Sequence, residues 1–194
     1  MNIIEPSFEI LAFPESIELL EIAGRTCYRS EPKGEPEKFV KKIIDSQHLS
    51  VIEHLTATVK IVTDRGVLAE LTRHRLASFS VESTRYVNYN KKGLEFVRPC
   101  FWDKENPLYD GWYGAMYKAE SFYNALMESG ATPEQARSVL PNSLKTEIIM
   151  SCNFREWLHI FKLRCSEKSH PQMREIMIPM RDEFRKRCPV VFGG

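Results

Sequence analysis

The chain has 194 residues, 43% of them apolar and 27% charged, with 27 Lys and Arg against 26 Asp and Glu. That balance excludes a disordered or fibrous chain and gives no bulk attraction to nucleic acid, so an anion site has to arise from local clustering. Five cysteines (Cys27, Cys100, Cys152, Cys165, Cys188) are odd in number and scattered, which points to reduced thiols rather than a disulfide framework or a zinc knuckle. No run approaches 18 apolar residues and the first residues lack a secretory pattern. One soluble, cytoplasmic domain over residues 1–194, away from the membrane, is therefore expected.

In chain order, a strand is predicted over 3–13, followed by a helix opened by Pro14-Glu15-Ser16 and carrying Ile17, Leu20 and Ala23 toward Arg25. Phe39, Val40, Ile43 and Ile44 recur at helical spacing after Pro36, giving a second helix that ends before His48. Residues 54–62 read as a strand whose one face, Leu55, Ala57, Val59 and Ile61, is wholly apolar. Asp64-Arg65-Gly66 turns the chain into a short helix; 76–83 reads as irregular. Residues 85–90 and 94–97 suggest a hairpin around Lys91-Lys92-Gly93. A long amphipathic helix is expected over 108–127, stopping at Gly130, and a shorter one over 133–139, between Thr132 and Pro141. The segment 143–152 leads into a helix from 153 to about 164, with Phe154, Leu158, Phe161 and Cys165 on one stripe and Arg155, His159 and Lys162 on another face. The last helix opens at His170-Pro171 and buries Met173, Ile176, Met177, Met180 and Phe184, with a kink expected at Pro179. No Gly-x-Gly-x-x-Gly follows a strand, so a Rossmann dinucleotide site is not indicated.

The stretch from Arg73-His74-Arg75 through Ser83-Thr84-Arg85-Tyr86 sets three fixed cations around a short hydroxyl-rich segment. Guanidinium forks and exposed backbone N–H groups there can converge on a phosphate. The same residues also fit a solvated helix end, with Arg73 and Arg75 at the C-terminal dipole and Arg85 paired to a surface carboxylate. Two further readings stand beside these. One is a nucleic-acid-binding module, in which Tyr86 and Tyr89 would stack on bases. The other is a metal hydrolase built on Glu53, His54 and His74, which lack a metal-ligand spacing; no metal is expected.

Arg73, His74, Arg75 and Ser78, followed by Ser83 and Arg85, resemble the signature of flavin-dependent thymidylate synthases, the ThyX family. Ser50-Val51-Ile52-Glu53-His54, the run from Glu134 to Pro141, and Asn153-Phe154-Arg155 through His159 to Leu163-Arg164 resemble the same family in the same order. The resemblance implies a mixed α+β fold, ThyX-like and not Rossmann, with a curved sheet packed by helices. It also implies a homotetramer with FAD at subunit interfaces that makes dTMP from dUMP, methylenetetrahydrofolate and NADPH.

Carried over residue by residue, the resemblance makes Arg164 the catalytic residue, its guanidinium aimed at the N3 and carbonyl edge of uracil. Glu70, Arg73, Glu82, Ser83, Thr84, Arg85 and Arg137 would join Arg164 in binding dUMP, with Glu70 and Arg73 reaching in from a neighbouring subunit. FAD would meet Ser50, Arg73, His74, Arg75, Asn153, Arg155 and His159, and Val81 through its main chain. Three departures from the family stand out: Glu70 where Gln is common, Val81 where a polar side chain is common, and an insertion before His170, which is given no catalytic role. A diverged, non-catalytic nucleotide-binding or nucleic-acid-binding relative is the alternative.

Overall fold

In the computed structural model, which describes residues 1–194 apart from the side chains of Lys91 and Lys92, Pro6 splits the predicted first strand. The pieces are β1 (Asn2–Ile4) and β2 (Ser7–Ala12); proline has no N–H to offer a ladder. Helices α1 (Glu18–Thr26) and α2 (Pro36–Asp45) follow as expected. Leu49–His54 forms a 3-10 helix, so β3 (Thr56–Asp64) begins later than predicted. Its apolar face is as expected, since Leu55, Ala57, Val59 and Ile61 are all buried. Asp64 then caps α3 (Arg65–Leu71), its Oδ1 accepting the Val67 N–H at 2.7 Å.

Beyond α3, the segment expected to be irregular contains β4 (Ser78–Val81). The predicted hairpin does not form: Tyr89–Lys92 is a short helix, α4, and β5 (Glu95–Val97) pairs in parallel with β1 through Ile3 and Phe96. Tyr89 is buried and its N–H reaches the Tyr123 hydroxyl, which holds it in a helical turn. Gly93, at φ 82°, closes that turn in the left-handed region where glycine is favoured. The side chains of Lys91 and Lys92, at the tip of the expected hairpin, lie outside the described residues.

The long helix α5 (Pro107–Glu128) is capped by Asn106, and α6 (Pro133–Ala136) opens on a capping box between Thr132 and Gln135 before tightening into a 3-10 turn over Arg137–Val139. Strand β6 (Lys145–Asn153) runs straight into α7 (Phe154–Arg164), where Asn153 is the N-cap. On α7 the buried stripe is Phe154, Trp157, Ile160 and Phe161, whereas Leu158 and Cys165 of the predicted stripe are only half-buried. The large Trp157 sets that rotation, its indole N–H donating to the Ala57 carbonyl at 3.2 Å. Helix α8 (Pro171–Arg187) continues through Pro179 and buries all five expected residues; α9 (Pro189–Phe192), not predicted, follows.

These elements make a mixed α+β fold with a four-stranded sheet in the order β2-β3-β6-β4 and a two-stranded sheet, β1-β5. The chain divides into two compact units. The first comprises Met1–Ser7, Ile61–Arg73 and Ser80–Ile149; the second comprises Phe8–Lys60, His74–Phe79 and Met150–Gly194. Phe96, Trp112, Met116, Tyr123 and Leu144 centre the core of the first. An aromatic cluster, in which Trp157, Phe161 and Phe192 surround Phe184 at 5.0–5.2 Å between ring centroids, centres the second.

Candidate active site

The second unit positions its chemistry along α7. Asn153 Oδ1 accepts the Glu156 N–H at 2.9 Å, which fixes the first turn. Glu156 and Arg164 are eight residues apart on one face, roughly 12 Å of rise, and both side chains reach the imidazole of His74. Arg164 Nε donates to His74 Nε2 at 2.9 Å, and His74 Nδ1 lies 3.4 Å from Glu156 Oε1. His74 and Glu156 are buried, at 5% and 7% exposure. Burial first, then the adjacent Arg164 and His159, push the His74 pKa down to about 4. His74 is therefore neutral at pH 7, and because Nε2 accepts from Arg164, its single proton sits on Nδ1 and faces Glu156.

His159 stacks edge-on to His74, with ring centroids 5.9 Å apart, and remains exposed. It lines a cleft of about 540 Å³ with Glu53, Leu76, Asn153, Arg155 and Glu156. Arg155 Nη1 meets Glu53 Oε1 at 2.6 Å across that cleft, an exposed ion pair. Ser50 is exposed on the 3-10 helix that carries Glu53, and Arg75 is exposed on the turn after His74. The ligand atoms of His74, Glu156 and His159 lie within 4.8 Å of one another, a grouping invisible in the sequence spacing.

The first unit organises a different cluster around the loop after β4. Glu82 is held at every polar group. Its carboxylate accepts from the Tyr89 hydroxyl at 2.7 Å and from Lys145 Nζ at 3.0 Å. Its N–H donates to the Glu147 carbonyl at 2.9 Å, and its carbonyl accepts from Arg65 Nη1 at 3.2 Å. Burial alone would lower the Lys145 ammonium, but Glu147 and Glu82 more than reverse this and hold it above its usual range. Ser83 Oγ accepts the Arg85 N–H at 3.3 Å, turning the loop, and the buried Thr84 hydroxyl accepts from Arg137 Nη1 at 3.4 Å. Arg85 forms the surface ion pair foreseen as one reading of its sequence, with Glu134 at 3.1 Å. Glu70 and Arg73 sit at the end of α3, where the Arg73 N–H donates to the Glu70 carbonyl, and Val81 ends β4.

Thus each unit gathers part of the residue set expected from the sequence. Asn153, Arg155 and His159 share one cleft, with His74 and Arg164 paired beside it; Glu82, Ser83, Thr84, Arg85 and Arg137 share one loop and its supports. Sequence reasoning missed Glu156, Lys145 and Arg65, and read Tyr89 as a base-stacking surface, whereas it is buried with its hydroxyl donating to Glu82. The Asn153-x-x-Glu156 spacing is a helix-start pattern, but it does not reveal that this glutamate is buried beside a histidine.

Residues 9–190 match the family model described as thymidylate synthase complementing protein, Thy1. The chain belongs to this family. Among Thy1 relatives, it is 35% identical over 158 residues to a flavin-dependent thymidylate synthase of Pyrococcus furiosus, a match covering 80% of this chain and 65% of that protein. It is 32% identical over 189 residues to the flavin-dependent thymidylate synthase of Geobacter sulfurreducens, covering 92% and 82% of the two chains. The crystal structure of a UMP/dUMP methylase, PolB, from Streptomyces cacaoi bound with 5-Br dUMP superposes with a TM-score of 0.83 at 25% identity, over 100% of this chain and 96% of that one. The Thy1 fold accordingly extends over both units.

Proposed function

We propose that the chain is a flavin-dependent thymidylate synthase, acting as one functional domain over residues 1–194 and methylating dUMP to dTMP with methylenetetrahydrofolate as carbon donor. The carrying observation is Arg164 held by a neutral, buried His74 beside an open cleft, in a chain matched to the Thy1 family over 9–190. For C5 of uracil to attack an electrophilic one-carbon unit, the ring must gain electron density. The Arg164 guanidinium at the N3 and carbonyl edge stabilises that anionic form, and stabilises it most where water is excluded. Arg164 stays protonated throughout, so it does not take up the proton later lost from C5.

The dUMP phosphate and sugar are taken by Ser83, Thr84, Arg85 and Arg137, with Arg73 and Glu70 of a neighbouring subunit. Arg85 exchanges Glu134 for the phosphate at little cost, because an exposed pair contributes less than about 1 kcal/mol. Glu82, with every polar group engaged, shapes this loop from behind. The second-unit cleft suits FAD in size and donor set: Arg155 and His159 offer donors to a pyrophosphate, Asn153 an amide and Leu76 an apolar contact. Ser50, Arg73, Arg75 and the Val81 main chain complete the set. When bound, FAD reduced by NADPH supplies the hydride that makes the transferred carbon a methyl group.

One chain leaves the cleft open, and Leu76, Tyr86 and Phe122 are exposed. A cytoplasmic homotetramer that completes each site from several subunits accounts for both features. Among the described residues, no helix is long and apolar enough to cross a membrane. The test is an absorbance spectrum of protein incubated with FAD and desalted, followed by anaerobic NADPH with and without dUMP, and then a dTMP assay with methylenetetrahydrofolate. A near-stoichiometric flavin band that bleaches with NADPH, together with dTMP formation, is expected. A well-folded tetramer that retains no flavin and forms no dTMP overturns the assignment.

A further inference from the structure

Glu156 has no role in the reaction as derived above, yet its carboxylate is buried at 7% exposure. Burying a carboxylate is costly unless a partner holds it. The group facing it is an imidazole rather than a cation, and the imidazole's opposite nitrogen accepts from Arg164. We infer that Glu156 is a positioning residue that acts through His74: by holding the proton on Nδ1, it leaves Nε2 as the acceptor that orients Arg164.

The alternative tautomer is incompatible with the observed contact. A proton on Nε2 would face the Arg164 Nε–H across 2.9 Å, donor against donor, and the guanidinium would swing away. A carboxylate behind an imidazole selects one tautomer, and here that tautomer is the one Arg164 requires. The carboxylate is itself fixed, because Asn153 caps the turn through the Glu156 N–H and the neighbouring Trp157 is fully buried with its indole on the Ala57 carbonyl. Orientation thus passes from the start of α7 to its end through one side chain from outside the helix. His74 thereby joins Glu156 as a positioning residue, with both ring nitrogens turned to protein groups rather than to a cofactor.

This inference rests on the functional reading for its kinetic consequence only. The experiment pairs ¹⁵N-histidine and arginine NMR of the ligand-free protein with kinetics of Glu156→Gln. Glutamine keeps the shape, but its amide can donate to Nδ1 and release the tautomer. In the wild type, His74 should be protonated at Nδ1 with a pyridine-like Nε2, and the Arg164 Nε–H should be protected from exchange. In Glu156→Gln that protection should fall and the Nε2–H form should appear, with kcat lowered about 10- to 100-fold and KM for dUMP little changed. A wild-type His74 protonated at Nε2, or a Glu156→Gln protein with unchanged kcat and Arg164 protection, overturns the inference. If Glu156→Gln does not fold, the wild-type tautomer decides alone. Absence of dTMP formation by the wild type would sink the functional reading, whereas the His74 tautomer and the Arg164 exchange rate are read without turnover and would still decide the role of Glu156.

Discussion

His74 carries a charge state as well as a position. Its pKa is about 4 in the folded chain against an ordinary 6.5, because burial, then Arg164 and His159, disfavour a second proton. Below pH 6.5 the unfolded chain therefore takes up a proton that the folded chain refuses. The stabilisation from keeping His74 neutral is complete above pH 6.5 and is lost as pH falls toward 4. Between pH 7 and 5 the loss is about 2 kcal/mol. Urea unfolding at those two pH values should show the wild type losing this amount relative to His74→Gln, beyond whatever the carboxylates contribute to both. Equal losses in the two proteins would mean that His74 protonates freely in the folded chain.

The loop between β4 and α4 depends on β6 in the same way that Arg164 depends on His74. Lys145 is 13% exposed at its side chain and bridges Glu82, Glu95 and Glu147. Removing it leaves three carboxylates without their common cation, so Lys145→Met should lower stability by about 1–3 kcal/mol. Because Glu82 precedes Ser83 and Thr84 directly, the same variant should weaken dUMP binding about tenfold, a change calorimetry would register; unchanged affinity would detach the loop from its anchor. The apolar spacing that made α1, α2, α5, α7 and α8 readable in the sequence is local and repeats at a helical period. Strand β4 and the β1–β5 pair were not readable, since Ser78–Val81 alternates over only four residues and β5 finds its partner at the other end of the unit. The α7 stripe was misjudged for a related reason, because the orientation of Trp157 is set by the Ala57 carbonyl a hundred residues away. Within the candidate site, the motif exposed the cations and hydroxyls, whereas the carboxylates behind them, Glu156 and Glu147, depend on contacts that no local spacing encodes.

At the scale of the whole molecule, the two guanidinium groups assigned to different ligands lie in different units. Arg137 reaches the Thr84 hydroxyl in the first, and Arg155 reaches Glu53 in the second. Both side chains are exposed, so alanine at either position removes charge without opening a core cavity and should leave folding within about 0.5 kcal/mol. Their effects on ligands should then separate. Arg137→Ala is expected to weaken dUMP binding by tenfold or more, the scale of a lost charge-assisted contact to phosphate, while retaining flavin through desalting. Arg155→Ala should lose flavin and still bind dUMP. Titrating dUMP by calorimetry and flavin by absorbance in both variants reads the two affinities independently. A variant that loses both ligands equally while keeping its assembly would show that one composite site, rather than two sets of cations, recognises nucleotide and cofactor. If the partition holds but activity disappears on dilution to monomers, the reaction needs more than one subunit, as proposed above.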